Sequence, residues 1–151
     1  MQYLTFRLNE VEYAVDVRIV DTVVEDGATT AVPSPVDYMK GVMDLRGQVI
    51  PVIDLRKKFH ISDSAESVRA SVIVIRVDAE DGRGLTVGAL VDEVSAVVEL
   101  DEKHIEAAKN EGGALWKAYV RGVIRFEERM VVIVEADALF SIRDIEALRA
   151  A

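Results

Sequence analysis

Carboxylates and two histidines are the candidate side chains for acid–base or metal chemistry in this chain, and the sequence contains no cysteine. That absence excludes disulfides, thiolate metal sites and a cysteine nucleophile. His60 and His104 are the only histidines, and no spacing joins them to a second ligand. Asp101, Glu102 and His104 could form a metal site, but acids at these positions are more typical of the first turn of a helix capped by Asp101. The sequence therefore predicts a helix over Asp101–Lys109 and no metal site.

Paired carboxylates are the remaining route to catalysis, and Asp54 with Asp92 would be the candidates in a small β-barrel hydrolase. The sequence contains no G-x-S-x-G, phosphate loop or nucleophile–base–acid set to support that alternative. The acidic loop Asp78–Gly82 lacks the alternating ligands and closing glutamate of a calcium loop. We therefore predict that the chain is not an enzyme and needs no cofactor.

Composition restricts the classes of partner and the compartment. A net charge of −9 repels phosphate backbones, so nucleic-acid binding is not expected. No apolar run approaches the roughly 18 residues that a membrane span requires, and the alternating N-terminus lacks the pattern of a signal peptide. The lack of cysteine is compatible with a reducing compartment, and no membrane insertion is expected.

An internal duplication organises the elements that would position any site. Lys40–Phe59 reads KGVMDLRGQVIPVIDLRKKF and aligns without a gap, at an offset of 81, with Arg121–Phe140, which reads RGVIRFEERMVVIVEADALF. Upstream, Val20–Glu25 matches Val94–Glu99 at an offset of 74. Only the first copy carries Leu-Arg-Gly at its turn, so we predict a scaffold with a specialised surface rather than a catalytic pocket.

The pattern predicts an all-β fold with short helices. Short alternating runs give about ten strands, five per half, joined by turns such as Arg46-Gly47. Strands this short leave exposed edges unless each half closes into a small barrel. The expected segments are a first subdomain over 1–60, a polar linker over 61–70, a second subdomain over 71–140 and a C-terminal helix over 141–151.

The motif in Lys40–Phe59 resembles that of the CheW family almost without interruption. FRLNEVEYAVDV near the start, PSPVDYMKG before the motif and VGALVDEVSAVVEL in the second half follow in the expected order. The similarity covers roughly Tyr3 to Phe140. It implies a single CheW-like domain over 1–151, built from two five-stranded SH3-like barrels with an apolar core between them.

The resemblance also implies a function in bacterial chemotaxis signal transduction. CheW proteins are non-enzymatic adaptors that join the regulatory domain of the histidine kinase CheA to the cytoplasmic tips of methyl-accepting chemoreceptors. This chain would then be cytoplasmic and associated with receptor arrays. Because the kinase and CheV-type proteins contain the same domain, a regulatory domain from such a protein is the alternative. Met1 just before the first strand and Ala151 after the last helix favour a complete small protein.

The family motif marks candidate residues on the first turn. Arg46 occupies the position of the motif arginine, which the resemblance assigns to partner binding; the alternative is a local pair with Asp44. Gly41 and Gly47 are interpreted as backbone requirements that set where Arg46 points. A positive φ is expected at Gly47, since glycine adopts it without steric cost.

The remaining candidates lie at positions that the resemblance associates with partner contact. Val20 and Val97 would flank the groove between the subdomains, or else serve as half-buried strand valines. The family commonly has glutamate at the position of Thr22 and asparagine at that of Asp44. We therefore hypothesise that Asp44 replaces the missing glutamate as the partner of Arg46.

Overall fold

The computed structural model describes residues 1–25, 27, 29–34, 36–61, 70–78, 82, 84–107, 119–139, 144, 146 and 147. Within them the strands are β1 Gln2–Leu8, β2 Val11–Asp16, β3 Val20–Glu25, β4 Met39–Leu45, β5 Gln48–Asp54, β6 Ser71–Asp78, β7 Gly84–Val91, β8 Glu93–Glu99, β9 Glu106–Ala107, β10 Val120–Phe126 and β11 Arg129–Val134. The short helix α1 spans Leu55–Lys58, and 3₁₀ turns span Val17–Ile19, Glu102–His104 and Ala136–Ala138.

The strands form two sheets, which confirms the predicted all-β class. Sheet 1 has five strands in the order β3-β6-β7-β5-β4. Sheet 2 has six strands in the order β8-β1-β2-β11-β10-β9, because the two-residue β9 extends one edge. The duplicated strands β4 and β10 share one pattern of burial along their length, as the alignment of the two copies predicts.

The sheets do not divide the chain at 61–70 as expected. The strands of sheet 1 all lie between residues 20 and 91, whereas sheet 2 takes its strands from between residues 93 and 134 and from the N-terminal hairpin of β1 and β2. In each sheet a hairpin from elsewhere in the chain adds a parallel neighbour to the duplicated hairpin, β7 beside β5 and β2 beside β11. Alternation along a strand sets which face is buried but not which strand lies beside it, so the sequence alone did not place the N-terminal hairpin.

The helix predicted over Asp101–Lys109 is wrong in its described part. Asp101 does cap a turn, because its Oδ1 accepts a hydrogen bond from the Lys103 N–H at 2.9 Å. The turn ends after His104, and β9 then pairs with β10. Pairing at the open edge of sheet 2 satisfies backbone groups that a helix would have bonded internally.

Apolar side chains fill the space between the two sheets as well as the inside of each. Phe6 stacks on Tyr13 at 5.7 Å between ring centroids, and Tyr13 contacts Phe59 at the same distance. The shared core includes buried side chains of both sheets: Leu4, Phe6, Tyr13, Val132 and Val134 from sheet 2, and Ile53, Ile73, Ile75, Val87 and Val91 from sheet 1. This agrees with the apolar core that the resemblance implied between two lobes.

Two predicted segments lie mostly outside the described residues. Of the linker 61–70, only its first and last residues are described, and both are non-regular. Of the C-terminal helix 141–151, the described residues 144, 146 and 147 are helical. The described ion pair between Lys58 Nζ and Asp144 Oδ2, at 3.6 Å, ties that last segment to α1.

Candidate partner-binding surface

The motif turn joins β4 to β5 through two residues, since Leu45 pairs with Gln48. Both turn residues have positive φ, 53° at Arg46 and 85° at Gly47. This sign pattern belongs to a type I′ turn, whose twist matches that of a hairpin. The positive φ predicted at Gly47 is confirmed. A side-chain-bearing residue in this region costs about 1–2 kcal/mol, so Arg46 occupies the turn against its intrinsic preference.

Arg46 does not pair with Asp44, and that hypothesis is wrong. The Nη1 atom of Arg46 lies 3.7 Å from Oδ2 of Asp21 on β3, with side chains 71% and 46% exposed. Asp44 instead turns back, and its Oδ1 accepts a hydrogen bond from the Gly47 N–H at 2.8 Å. The tight turn brings this N–H within hydrogen-bond distance of the Asp44 carboxylate.

The structure supports a backbone role for Gly41. A Cβ atom there would lie 2.1 Å from the carbonyl oxygen of Thr30. Thr30 and Val42 exchange two backbone hydrogen bonds, at 2.8 and 2.9 Å, which bring this close approach about. Gly122 occupies the equivalent place, with a Cβ atom 2.3 Å from the carbonyl oxygen of Glu106. Glycine is therefore required in both copies where another segment crosses the hairpin.

The valines and threonine of the candidate site are placed differently. Val20 and Thr22 are half-buried on β3, and Val20 packs against the shared core. Thr22 therefore lies on the same strand as Asp21, the partner of Arg46. Val97 lies on β8 in sheet 2 with 52% of its side chain exposed. The structure thus brings Arg46 to the strand of Val20 and Thr22, and places Val97 on the other sheet.

Further exposed apolar side chains were missed from the sequence. Val49 is 65% exposed, and its counterpart in the second copy, Met130, is 49% exposed. Val23, 39% exposed, is likewise the counterpart of Val97. The duplication was the signal that could have found them, because each sheet presents the same two positions. The two sheets therefore expose apolar side chains at equivalent positions.

The second hairpin turn carries the opposite charge. Glu127 and Glu128 take the places of Arg46 and Gly47, with φ of 48° and 66°. Beside them, Nε of Arg129 lies 3.2 Å from Oε2 of Glu12, whose side chain is 7% exposed. The two sheets therefore present equivalent turns of opposite charge.

The carboxylates considered for hydrolysis do meet, but around a cation. Asp92 Oδ1 lies 3.3 Å from Nη1 of Arg56, and Asp54 Oδ1 lies 4.0 Å from its Nε. All three side chains are about 15% exposed or less. Two carboxylates that share one guanidinium are not arranged as separate acid and base. Among the described residues, no group of three or more histidines, cysteines and acids could hold a metal ion.

A cavity of about 440 Å³ lies beside the end of β2, and its lining includes the charged side chains of Asp16, Arg18 and Arg121. Arg18 donates to both carboxylate oxygens of Asp16, which lowers the pKa of that carboxyl. Arg121 donates to the Tyr3 hydroxyl at 3.2 Å and to Oε1 of Glu102 at 3.3 Å. Burial raises the pKa of Tyr3. The charged side chains that line this cavity are therefore bonded to one another and do not converge on a common point where a ligand would bind.

A cavity of about 310 Å³ lies near the end of α1. The ammonium group of Lys58 lies 4.3 Å from the ring centroid of Tyr38 and 5.3 Å from that of Tyr119. Burial is the main cause that raises the pKa of Tyr38.

No helix in the described part of the chain has both the length and the apolar character needed to cross a bilayer.

Comparison with known proteins places this architecture. The family model of the CheW-like domain matches residues 2–144. A probable chemotaxis protein CheW from Rhizobium etli is 31% identical over 146 residues, which cover 97% of this chain and 91% of that protein. The chemotaxis protein CheW of Bacillus subtilis is 31% identical over 136 residues, 90% of this chain and 84% of its own.

A solved structure extends the comparison to the fold. The scaffolding protein TtCheW from Thermoanaerobacter tengcongensis superimposes with a TM-score of 0.80 at 29% sequence identity, over 95% of this chain and 89% of its own. The agreement of sequence, fold and strand arrangement along nearly the whole length shows that this chain belongs to the CheW-like domain family.

Proposed function

We propose that this chain is a non-enzymatic chemotaxis adaptor that couples receptors to the histidine kinase CheA. The observation that carries the proposal is the recurrence of exposed apolar side chains at equivalent positions of both sheets, in a chain similar throughout to chemotaxis scaffolds. Two related exposed surfaces on one chain are suited to holding two partners together.

The surface on sheet 1 is proposed to bind the receptor's cytoplasmic tip. We call it the sheet 1 surface, and it comprises the exposed Asp21, Val23, Arg46 and Val49 with the half-buried Thr22 and Val20 beside them. The exposed valines would supply affinity through burial of apolar area. The Arg46–Asp21 pair is open to solvent, so either charge is available to an oppositely charged group of the partner and would fix the register.

The surface on sheet 2 is proposed to bind the regulatory domain of the kinase. This sheet 2 surface comprises Val97 and Met130. Exposed methionine adapts its shape to irregular apolar partners. With both partners bound, a receptor signal would reach the kinase through their relative placement, at a cytoplasmic location within receptor arrays.

The test is size-exclusion chromatography of the chain with the kinase regulatory domain and, separately, with a receptor-tip fragment. We expect Met130→Asp to lose co-elution with the kinase domain and Arg46→Ala to keep it. We expect the reverse with the receptor fragment. Lys57→Asp is the control, because Lys57 is exposed on α1 and belongs to neither surface. A wild-type chain that co-elutes with neither partner at tens of micromolar would refute the adaptor proposal.

A further inference from the structure

Asp92 is the single residue at which the chain passes from sheet 1 to sheet 2, between Val91 of β7 and Glu93 of β8. Two of its contacts reach the N-terminal hairpin of sheet 2. Its N–H donates to the Arg7 carbonyl at 3.1 Å, and its Oδ2 accepts from the Asn9 N–H at 2.6 Å. Arg7 lies in β1, and Asn9 begins the turn that leads to β2.

The second carboxylate oxygen of Asp92 faces sheet 1. Its Oδ1 lies 3.3 Å from Nη1 of Arg56, in the short helix that directly follows β5. The backbone of Arg56 is fixed in turn, because its N–H donates to Oδ1 of Asp54 at 3.0 Å. One carboxylate therefore holds a turn of sheet 2 with one oxygen and a helix of sheet 1 with the other.

The Asp92–Arg56 pair differs from the apolar core in what it can specify. Burial of apolar area is non-directional, so the shared core drives the sheets together through many contacts of which none is specific to one atom pair. An ion pair joins two particular groups, and its attraction weakens as they move apart. The two side chains are 15% and 14% exposed, so solvent weakens their attraction less than it would at the surface.

We propose that Asp92 and Arg56 form a clamp that fixes the orientation of sheet 2 relative to sheet 1. Asp92 is then a positioning residue that touches neither of the proposed surfaces. The consequence for signalling rests on the proposed function, because it requires partners bound to the two sheets. The clamp would set the angle at which those partners are held.

The clamp is tested by measuring the distance between the sheets. Since the chain has no cysteine, spin labels are placed uniquely at Glu25→Cys on β3 and Arg125→Cys on β10, both exposed positions. Double electron–electron resonance on the otherwise wild-type chain should give one narrow distance. We expect Asp92→Asn, which keeps the size and acceptor oxygen but removes the charge, to lose that narrow distance.

Three controls separate the clamp from general damage to the fold. Labels at Ser95→Cys and Arg125→Cys lie within sheet 2, and their distance should stay narrow in Asp92→Asn. Arg56→Gln should broaden the distance between the sheets as Asp92→Asn does, and the double variant should add nothing further. Asp54 contacts the same guanidinium but joins no residue of sheet 2, and asparagine can still cap the helix. We therefore expect Asp54→Asn to leave the distance between the sheets narrow.

Either of two results would overturn the clamp: an unchanged distance between the sheets in Asp92→Asn and Arg56→Gln, or equal broadening within sheet 2. Its consequence has a separate readout. Asp92→Asn should still co-elute with each partner alone but lose receptor control of kinase activity in the three-component complex. If the wild-type chain binds neither partner, the adaptor proposal fails, while the spin-label distances still decide the clamp.

Discussion

At the scale of the residue, the backbone of the motif turn could be predicted from the sequence, whereas the ion pair of Arg46 could not. The positive φ of Gly47 follows from hairpin geometry and was predicted. The partner of Arg46 was not, because Asp44 is its same-face neighbour along the strand whereas Asp21 approaches only after β3 has folded beside the turn. Local spacing therefore identified a charged turn but assigned its ion pair to the nearer acid.

The hydrogen bond of Asp44 gives a direct test of its role in the turn. Asp44→Ala removes the acceptor for the Gly47 N–H, and we expect the free energy of unfolding to fall by about 0.5–1.5 kcal/mol in urea denaturation. Asp21→Ala is the matched control and should change it by less than about 1 kcal/mol, because the Arg46–Asp21 pair is exposed. A larger loss in Asp21→Ala than in Asp44→Ala would contradict this assignment.

A second test at this scale uses pH. The hydrogen bond from Arg18 lowers the pKa of Asp16, so ionised Asp16 stabilises the folded chain above the pKa of an unfolded aspartate, about 3.9. That stability is lost as the pH falls through the lower, folded-state pKa. Urea midpoints measured from pH 7 downward should show a smaller acid loss in Arg18→Met than in wild type. Identical profiles for the two proteins would contradict the prediction.

At the scale of the element, the duplicated hairpins account for most of what the sequence predicted. Their strands, turns and glycines align because each copy meets the same steric demand, such as the segment that crosses Gly41 and Gly122. The stretch after Asp101 was misassigned because the cap chemistry of a helix and of a single turn is the same. The competing edge of β10 is distant in sequence, so its pairing with β9 could not be predicted locally.

Gly41→Ala tests the close approach at β4. An added methyl group would meet the Thr30 carbonyl oxygen, so we expect a loss of about 1–3 kcal/mol in the free energy of unfolding. Hydrogen exchange should accelerate at the Thr30 and Val42 amides, which pair across this point. A variant that keeps wild-type protection at both amides would refute the steric argument.

The buried acid beside the second turn gives another prediction at this scale. Arg129→Met leaves the carboxylate of Glu12 buried without its cation, and we expect a loss of about 1–3 kcal/mol in the free energy of unfolding. Adding Glu12→Gln should recover part of that loss, because a neutral amide is less costly to bury than an unpaired charge. A double variant less stable than Arg129→Met alone would contradict this explanation.

At the scale of the whole molecule, the sequence predicted two related β units with an apolar core between them, but not the assignment of the N-terminal hairpin. Strand alternation is local information, whereas sheet membership depends on contacts between distant segments. Since the shared core takes buried side chains from both sheets, each sheet needs the other to bury one of its apolar faces.

We therefore expect the described domain to unfold as one cooperative unit. Urea transitions followed by far-ultraviolet circular dichroism and by hydrogen exchange at β6 and β11, one strand from each sheet, should coincide. Two separate transitions, with sheet 1 persisting after sheet 2 has opened, would show that the sheets are independent.

The position of the N-terminal hairpin has a consequence for synthesis on the ribosome. Sheet 1 is complete once residue 91 has emerged, but β1 and β2 are made first and lie between β8 and β11, which are made later. The nascent chain must therefore carry an apolar hairpin with unpaired edges until β11 has been translated. Such edges are the part of a folding intermediate most exposed to aggregation. The first hairpin of this domain is thus among the last of its strands to reach their native neighbours.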